Sequence, residues 1–69
     1  MKIKMLKTVS IQTIGRDDDN RIVREDLTLF KDDVQDGITI VREKKGNAEV
    51  VFADGFEGNL PSNTFEKIV

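Results

Sequence analysis

The sequence predicts an all-β fold, a small barrel of about five strands with a short helical turn near the C-terminus. Three observations carry this. Short β-branched segments with alternating polarity recur along the chain, and clusters of Gly, Asp and Asn punctuate them. The last third ends as small barrels do. An apolar strand from Val50 runs through a turn bounded by Gly55 and Gly58 into a second short strand, and the Pro61-Ser62-Asn63 step then tips the chain into a closing strand. At 69 residues the chain reads as one domain, residues 1–69, which buries only about 60% of the surface its unfolded form exposes.

The elements follow in order. From Lys7 to Ile14 the run alternates, with Val9 and Ile11 on one face and Ser10 and Gln12 on the other, the pattern of a half-buried strand. Gly15-Arg16-Asp17-Asp18-Asp19-Asn20 ends it in a mobile acidic loop. Residues 22–34 admit two readings. Leu27, Phe30 and Val34 are spaced for a helix capped by Asp26, while Leu27 and Leu29 alternate around Thr28; the β character of the flanks favours a strand. After an Asp36-Gly37 turn, Ile38 to Glu43 forms a strand with Ile38 and Ile40 on one side. Lys44-Lys45-Gly46-Asn47 makes a hairpin turn, with Gly46 and Asn47 both tolerant of positive φ. Ala48 to Ala53 returns as its partner, with Val50 and Phe52 on one face.

Composition narrows the function. With 38% hydrophobic and 35% charged residues the chain can fold, unlike a disordered tail. A net charge of −2 gives no bulk attraction to phosphate backbones. Cysteine and histidine are both absent, which removes disulfides, thiolate and imidazole metal sites, and the usual nucleophile–base pairs. No cofactor or metal is implied. The basic N-terminus, Met1 to Lys7, is followed by no uninterrupted apolar stretch, so neither export nor membrane insertion is expected, and the cytoplasm is the simplest compartment. Such a chain suits a bacterial or phage accessory or regulatory protein.

From Asp26 onward, the order Asp26-Leu27-Thr28-Leu29-Phe30-Lys31-Asp32-Asp33-Val34, hairpin, Gly55-Phe56-Glu57-Gly58-Asn59-Leu60-Pro61-Ser62-Asn63 resembles the SH3 family. There an acidic, apolar "ELSF-KKGD" segment leads to a central hairpin and a "G-x-x-G-x-x-PSNY" ending. The resemblance spans roughly residues 6–69 and is strongest at Leu60-Pro61-Ser62-Asn63. It implies an SH3-like barrel. Conventional members grip proline-rich peptides on Tyr and Trp side chains, and this chain has neither residue. The "ALYDY" segment is replaced by Val9-Ser10-Ile11-Gln12-Thr13, the paired Trp positions fall near Asn47 and Ala48, and the final Tyr becomes Thr64. Only Pro61 of that platform remains. The family's acidic loop, which meets Arg or Lys on the partner, corresponds to Asp17, Asp18, Asp19, Glu25 and Asp26, a charge run whose plainer reading is a solvated turn.

Other chemistry is thin. Asp32-Asp33 sits in a polar turn that favours full solvation over acid/base work. Asp17 to Asn20 lacks the sixth-position glycine and distant Glu of an EF-hand loop, and Gly55 to Asn59 lacks the Gly-Lys-Ser/Thr step of a phosphate cradle. Of the four phenylalanines at least three are expected to be structural, with Phe56 the one whose burial is least assured. The expectation is therefore a non-catalytic module that binds another protein through Asp17, Asp18, Asp19, Phe56, Pro61 and Asn63. Two alternatives stand beside it: a nucleic-acid-binding barrel using Lys2, Lys4, Lys7, Lys44 and Lys45, which the net charge disfavours, and a structural subunit that completes its small core by homodimerising. The N-terminal lysines are more simply read as guards on an edge strand.

Overall fold

The structure, a computed structural model, describes residues 1–68 and is all-β, with two antiparallel sheets. Eight strands are seen among the described residues: β1 (Ile3–Met5), β2 (Val9–Arg16), β3 (Ile22–Leu29), β4 (Val34–Gln35), β5 (Thr39–Lys44), β6 (Asn47–Val51), β7 (Glu57–Pro61) and β8 (Phe65–Lys67). The excess over five comes from short pieces, β1, β4 and β8, which form a three-stranded sheet in the order β4-β1-β8. The other sheet runs β3-β2-β7-β6-β5. A 3-10 turn over Ser62–Thr64 supplies the short helical step before the closing strand. Among the described residues no helix is long and apolar enough to cross a membrane.

β1 lies between β4 and β8, so the expected edge at the N-terminus is a centre instead. The reason lies in its alternation. Ile3 and Met5 are fully buried and Lys4, between them, turns outward beside Val34 and Glu66. Ile3, Met5, Leu29, Ile38, Val50 and Leu60 form the centre of the core with Ala48, Phe52 and Phe65, and Val9, Ile11, Leu27 and Ile40 pack around them. Each large side chain among these contributes on the order of 2 kcal/mol by leaving water.

The segment that admitted two readings is strand. β3 pairs with β2 along its whole length, from Val9 opposite Leu29 to Arg16 opposite Ile22. Leu27 and Leu29 point inward, while Phe30 and Val34, which helical spacing would have buried with Leu27, are 59% and 52% exposed. Gly15 does not end β2, which continues to Arg16.

The central hairpin joins β5 and β6 in register from Lys44 opposite Asn47 to Thr39 opposite Val51. Of its two turn candidates only Gly46 takes positive φ (+80°); Asn47 is already strand. A bulge between Ile40 and Arg42 leaves Val41 61% exposed and twists this edge away from further pairing. The sheets meet unevenly along their two sides. Where β5 faces β8, Lys67 Nζ lies 2.7 Å from Glu43 Oε1, and Met1 and Ile38 exchange two backbone hydrogen bonds of 3.0 and 2.9 Å. Where β3 faces β4, no pairing joins the strands.

Candidate functional site

The β2–β3 ribbon ends in a turn built by Asp17. Its backbone N–H donates to the Arg21 carbonyl at 3.0 Å, and its carboxylate accepts from the N–H groups of Asp19 (3.0 Å) and Arg21 (2.9 Å). Asn20 takes the left-handed conformation (φ +61°), and its carbonyl accepts from the Arg16 guanidinium at 3.0 Å. An aspartate whose oxygen replaces a backbone acceptor is a turn former, so Asp17 shapes this loop. Asp18 and Asp19 stand exposed on it.

Phe56 lies beside the ribbon. Its N–H donates to the Asp54 carboxylate (3.0 Å) and its carbonyl accepts from Phe52 N–H (2.8 Å), closing a turn in which Gly55 holds φ +88°. The ring rests on the backbone of Gly15. A methyl group added there would stand 2.6–2.8 Å from three ring carbons. Phe56 is thereby half-buried, and the most exposed aromatic residue is Phe30. Two phenylalanines, Phe52 and Phe65, are buried, fewer than the three expected to be structural, with Phe56 in an intermediate position.

Pro61 and Asn63 are exposed at the other end of β7. Pro61 ends the strand opposite Asn47, and its carbonyl accepts the buried Thr64 hydroxyl at 2.6 Å. Thr64 thus closes the 3-10 turn. The Thr64 carbonyl also accepts from Leu6 N–H at 2.7 Å, tying the turn to the strand end at β1. Register separates the two groups of candidates. β2 meets β7 at Ile14 opposite Glu57; Asp17 lies three residues to one side of that pair and Pro61 four to the other. At about 3.3 Å per residue they stand roughly 20 Å apart along the strands. The structure brings Asp17, Asp18, Asp19 and Phe56 to one end and leaves Pro61 and Asn63 at the other.

The open side of the sandwich holds a groove of about 240 Å³. Leu27, Phe52 and Phe56 supply apolar surface, while Glu25 and Asp54 bring carboxylates; Asp26 borders it on β3, where its parity sets its side chain on the opposite face from Glu25, and Gln35 closes it from β4. Glu25 stands out on β3, because its parity places it with Val23, Leu27 and Leu29 on the inward face, yet it is exposed. Opposite it Thr13 is buried and donates its hydroxyl to the Glu25 carbonyl at 3.0 Å. Asp54 and Gln35 carry no sequence signal for this role, since they come from a turn and a two-residue strand far apart in the chain. Glu25 does carry one, as a charge interrupting an apolar alternation. Among the described residues no cluster of three or more Asp or Glu side chains is arranged to hold a metal ion, and no buried side-chain polar atom lacks a hydrogen bond.

Comparison with protein-family models, with curated proteins and with solved structures returned no match.

Proposed function

We propose that this chain is a non-catalytic binding module with an SH3-like barrel, acting as an accessory or regulatory protein that recruits another protein. The observation that carries the reading is the groove between β3 and β4, where apolar side chains meet the carboxylates of Glu25 and Asp54. Apolar area supplies affinity and the charges fix orientation, the division of labour found in protein interfaces. The barrel reading draws support from the order of elements: ribbon, central hairpin, short strand, 3-10 turn and closing strand. The glycine of the family's "KKGD" segment falls on Asp32, which holds φ +73°, the conformation for which a glycine is suited.

The surface that meets the partner runs from the groove, with Phe56 in its lining, to the acidic turn at the end of the β2–β3 ribbon, where Asp18 and Asp19 stand exposed. Pro61 and Asn63 belong to a second, separate face. The lysines that would meet nucleic acid are dispersed over β1 and the β5–β6 turn, and Lys67, which would extend them, is paired with Glu43. The test is recovery of partners from native lysate on the immobilised protein, with and without nuclease, followed by mass spectrometry. A dominant protein retained after nuclease, and lost when Asp18, Asp19 and Glu25 are replaced by Ala, is the expected result. Recovery abolished by nuclease would overturn the reading in favour of nucleic acid, and concentration-dependent sedimentation with nothing recovered would overturn it in favour of self-association.

A further inference from the structure

We infer that β3 is an acceptor edge for strand addition, and that its occupant is an extended segment of another protein carrying a basic and an apolar residue two positions apart. This rests on the protein-binding reading above and names the site and the chemistry of the partner.

β3 pairs only with β2, along eight residues with no proline and no bulge. Because Asp17 N–H bonds the Arg21 carbonyl, the bonded pairs of this ladder fall on odd residues: Thr13 with Glu25, Ile11 with Leu27, Val9 with Leu29. The N–H and C=O groups of Ile22, Arg24, Asp26 and Thr28 therefore face away from β2, and all four residues are exposed. The pairing of β2 with β7 at Ile14 agrees, since it requires even residues of β2 to face the other way. Such a row of unmet donors and acceptors is a template for another strand. The other edge of this sheet, β5, is interrupted by its bulge at Val41.

The side chains then select the occupant. A strand laid on β3 alternates its residues between the two faces. Those opposite Glu25 and Leu27 enter the groove, where one meets the Glu25 carboxylate with Asp54 nearby and the other meets Leu27, Phe52 and Phe56. A Lys or Arg and an apolar residue spaced by two satisfy both at once, the cation gaining a charge-assisted hydrogen bond. A second copy of this chain does not. Pairing about a two-fold axis keeps each residue opposite one on the same face, and the groove-side residues Val23, Glu25, Leu27 and Leu29 offer no cation to Glu25, although the register centred on Glu25 pairs Arg24 with Asp26 on the outer face. In that register the groove carboxylate that attracts a basic segment faces its own copy.

The experiment uses the whole protein, labelled with ¹⁵N, and a short synthetic peptide in which threonine alternates with valine, lysine and valine. A control peptide carries glutamate for lysine. Expected is slowed amide exchange at Ile22, Arg24, Asp26 and Thr28 on adding the lysine peptide, with little change on adding the control. Arg24→Pro removes one outward N–H without touching the β2 ladder, and its binding should fall about tenfold. Glu25→Lys, at an exposed position, should reverse the preference between the two peptides. Peptide-induced changes confined to β5 or to Asp17–Asn20, or an unaltered preference in Glu25→Lys, would overturn the inference. A protein recovered from lysate equally well by unchanged, Arg24→Pro and Glu25→Lys protein would also overturn it, while leaving the protein-binding reading intact.

Discussion

Replacing Gly15 by Ala tests the contact that positions Phe56 at the groove. Gly15 does not take positive φ, so Ala meets no backbone penalty and gains about 0.4–1 kcal/mol from a less flexible unfolded chain. Against this, the new methyl would stand 2.6, 2.7 and 2.8 Å from Phe56 Cδ1, Cγ and Cε1, about 1 Å inside ordinary carbon contact. Phe56 is half-buried and can swing outward only by abandoning its packing in the groove. Overpacking of this kind costs about 1–3 kcal/mol, and at the midpoint of about 2 the net loss is about 1–1.6 kcal/mol. For a domain of this size that is a fall in Tm of roughly 5–15 °C.

The assay is urea and thermal unfolding of four proteins: unchanged, Gly15→Ala, Phe56→Ala and the double variant. Phe56→Ala alone should cost about 1 kcal/mol, the apolar area of a half-buried ring. In the double variant the methyl fills space the ring has left, so the losses should not add. A coupling of at least about 1 kcal/mol is expected. A double variant whose loss equals the sum of the singles within about 0.5 kcal/mol would refute the placement of the ring on Gly15.

Three further outcomes are expected. Asp17→Ala should lose about 1 kcal/mol, measured by urea unfolding, because two backbone N–H groups lose their acceptor; Asp17→Asn should lose less and Asp18→Ala nothing beyond about 0.5 kcal/mol. Thr64→Val keeps the shape of a buried side chain but strips the hydroxyl from the Pro61 carbonyl, and thermal unfolding should register a loss of about 1–3 kcal/mol. Lys67→Ala should shift the urea midpoint by no more than the equivalent of about 0.5 kcal/mol, since both partners of its ion pair are 47% exposed and screened by solvent.

The sequence made the alternation of Val9 and Ile11, the central hairpin and the closing turn legible, because each is a local pattern whose turn chemistry sits beside it. It gave the same signal at β1, where Ile3 and Met5 alternate with lysines, but three residues are too few to distinguish a core strand from a basic tail. Gly15 misleads for a different reason. A glycine that ends a strand and a glycine that receives an aromatic ring look alike until the ring is located, and Phe56 is 41 positions away. The groove was half legible. Glu25 and Asp26 are visible as charges, whereas Asp54 joins them from the β6–β7 turn of the same sheet and Gln35 through the packing of the other sheet on it.

The uneven closure of the two sides joins stability to binding. On one side backbone bonds at Met1 and Ile38 and the Lys67–Glu43 pair hold the sheets together; on the other the chain leaves β3 and β4 unpaired with each other and lines the gap with charge. In a domain with so small a core, pairing β3 directly to β4 would add stability at the expense of the groove. A segment laid on β3 binds only the folded form. At a hundredfold excess over its Kd it would raise stability by about 2.7 kcal/mol, more than any single surface contact here supplies. On the strand-addition proposal the open side is a stability deferred until a partner arrives, and the rise in Tm with peptide concentration measures it independently of where the peptide binds.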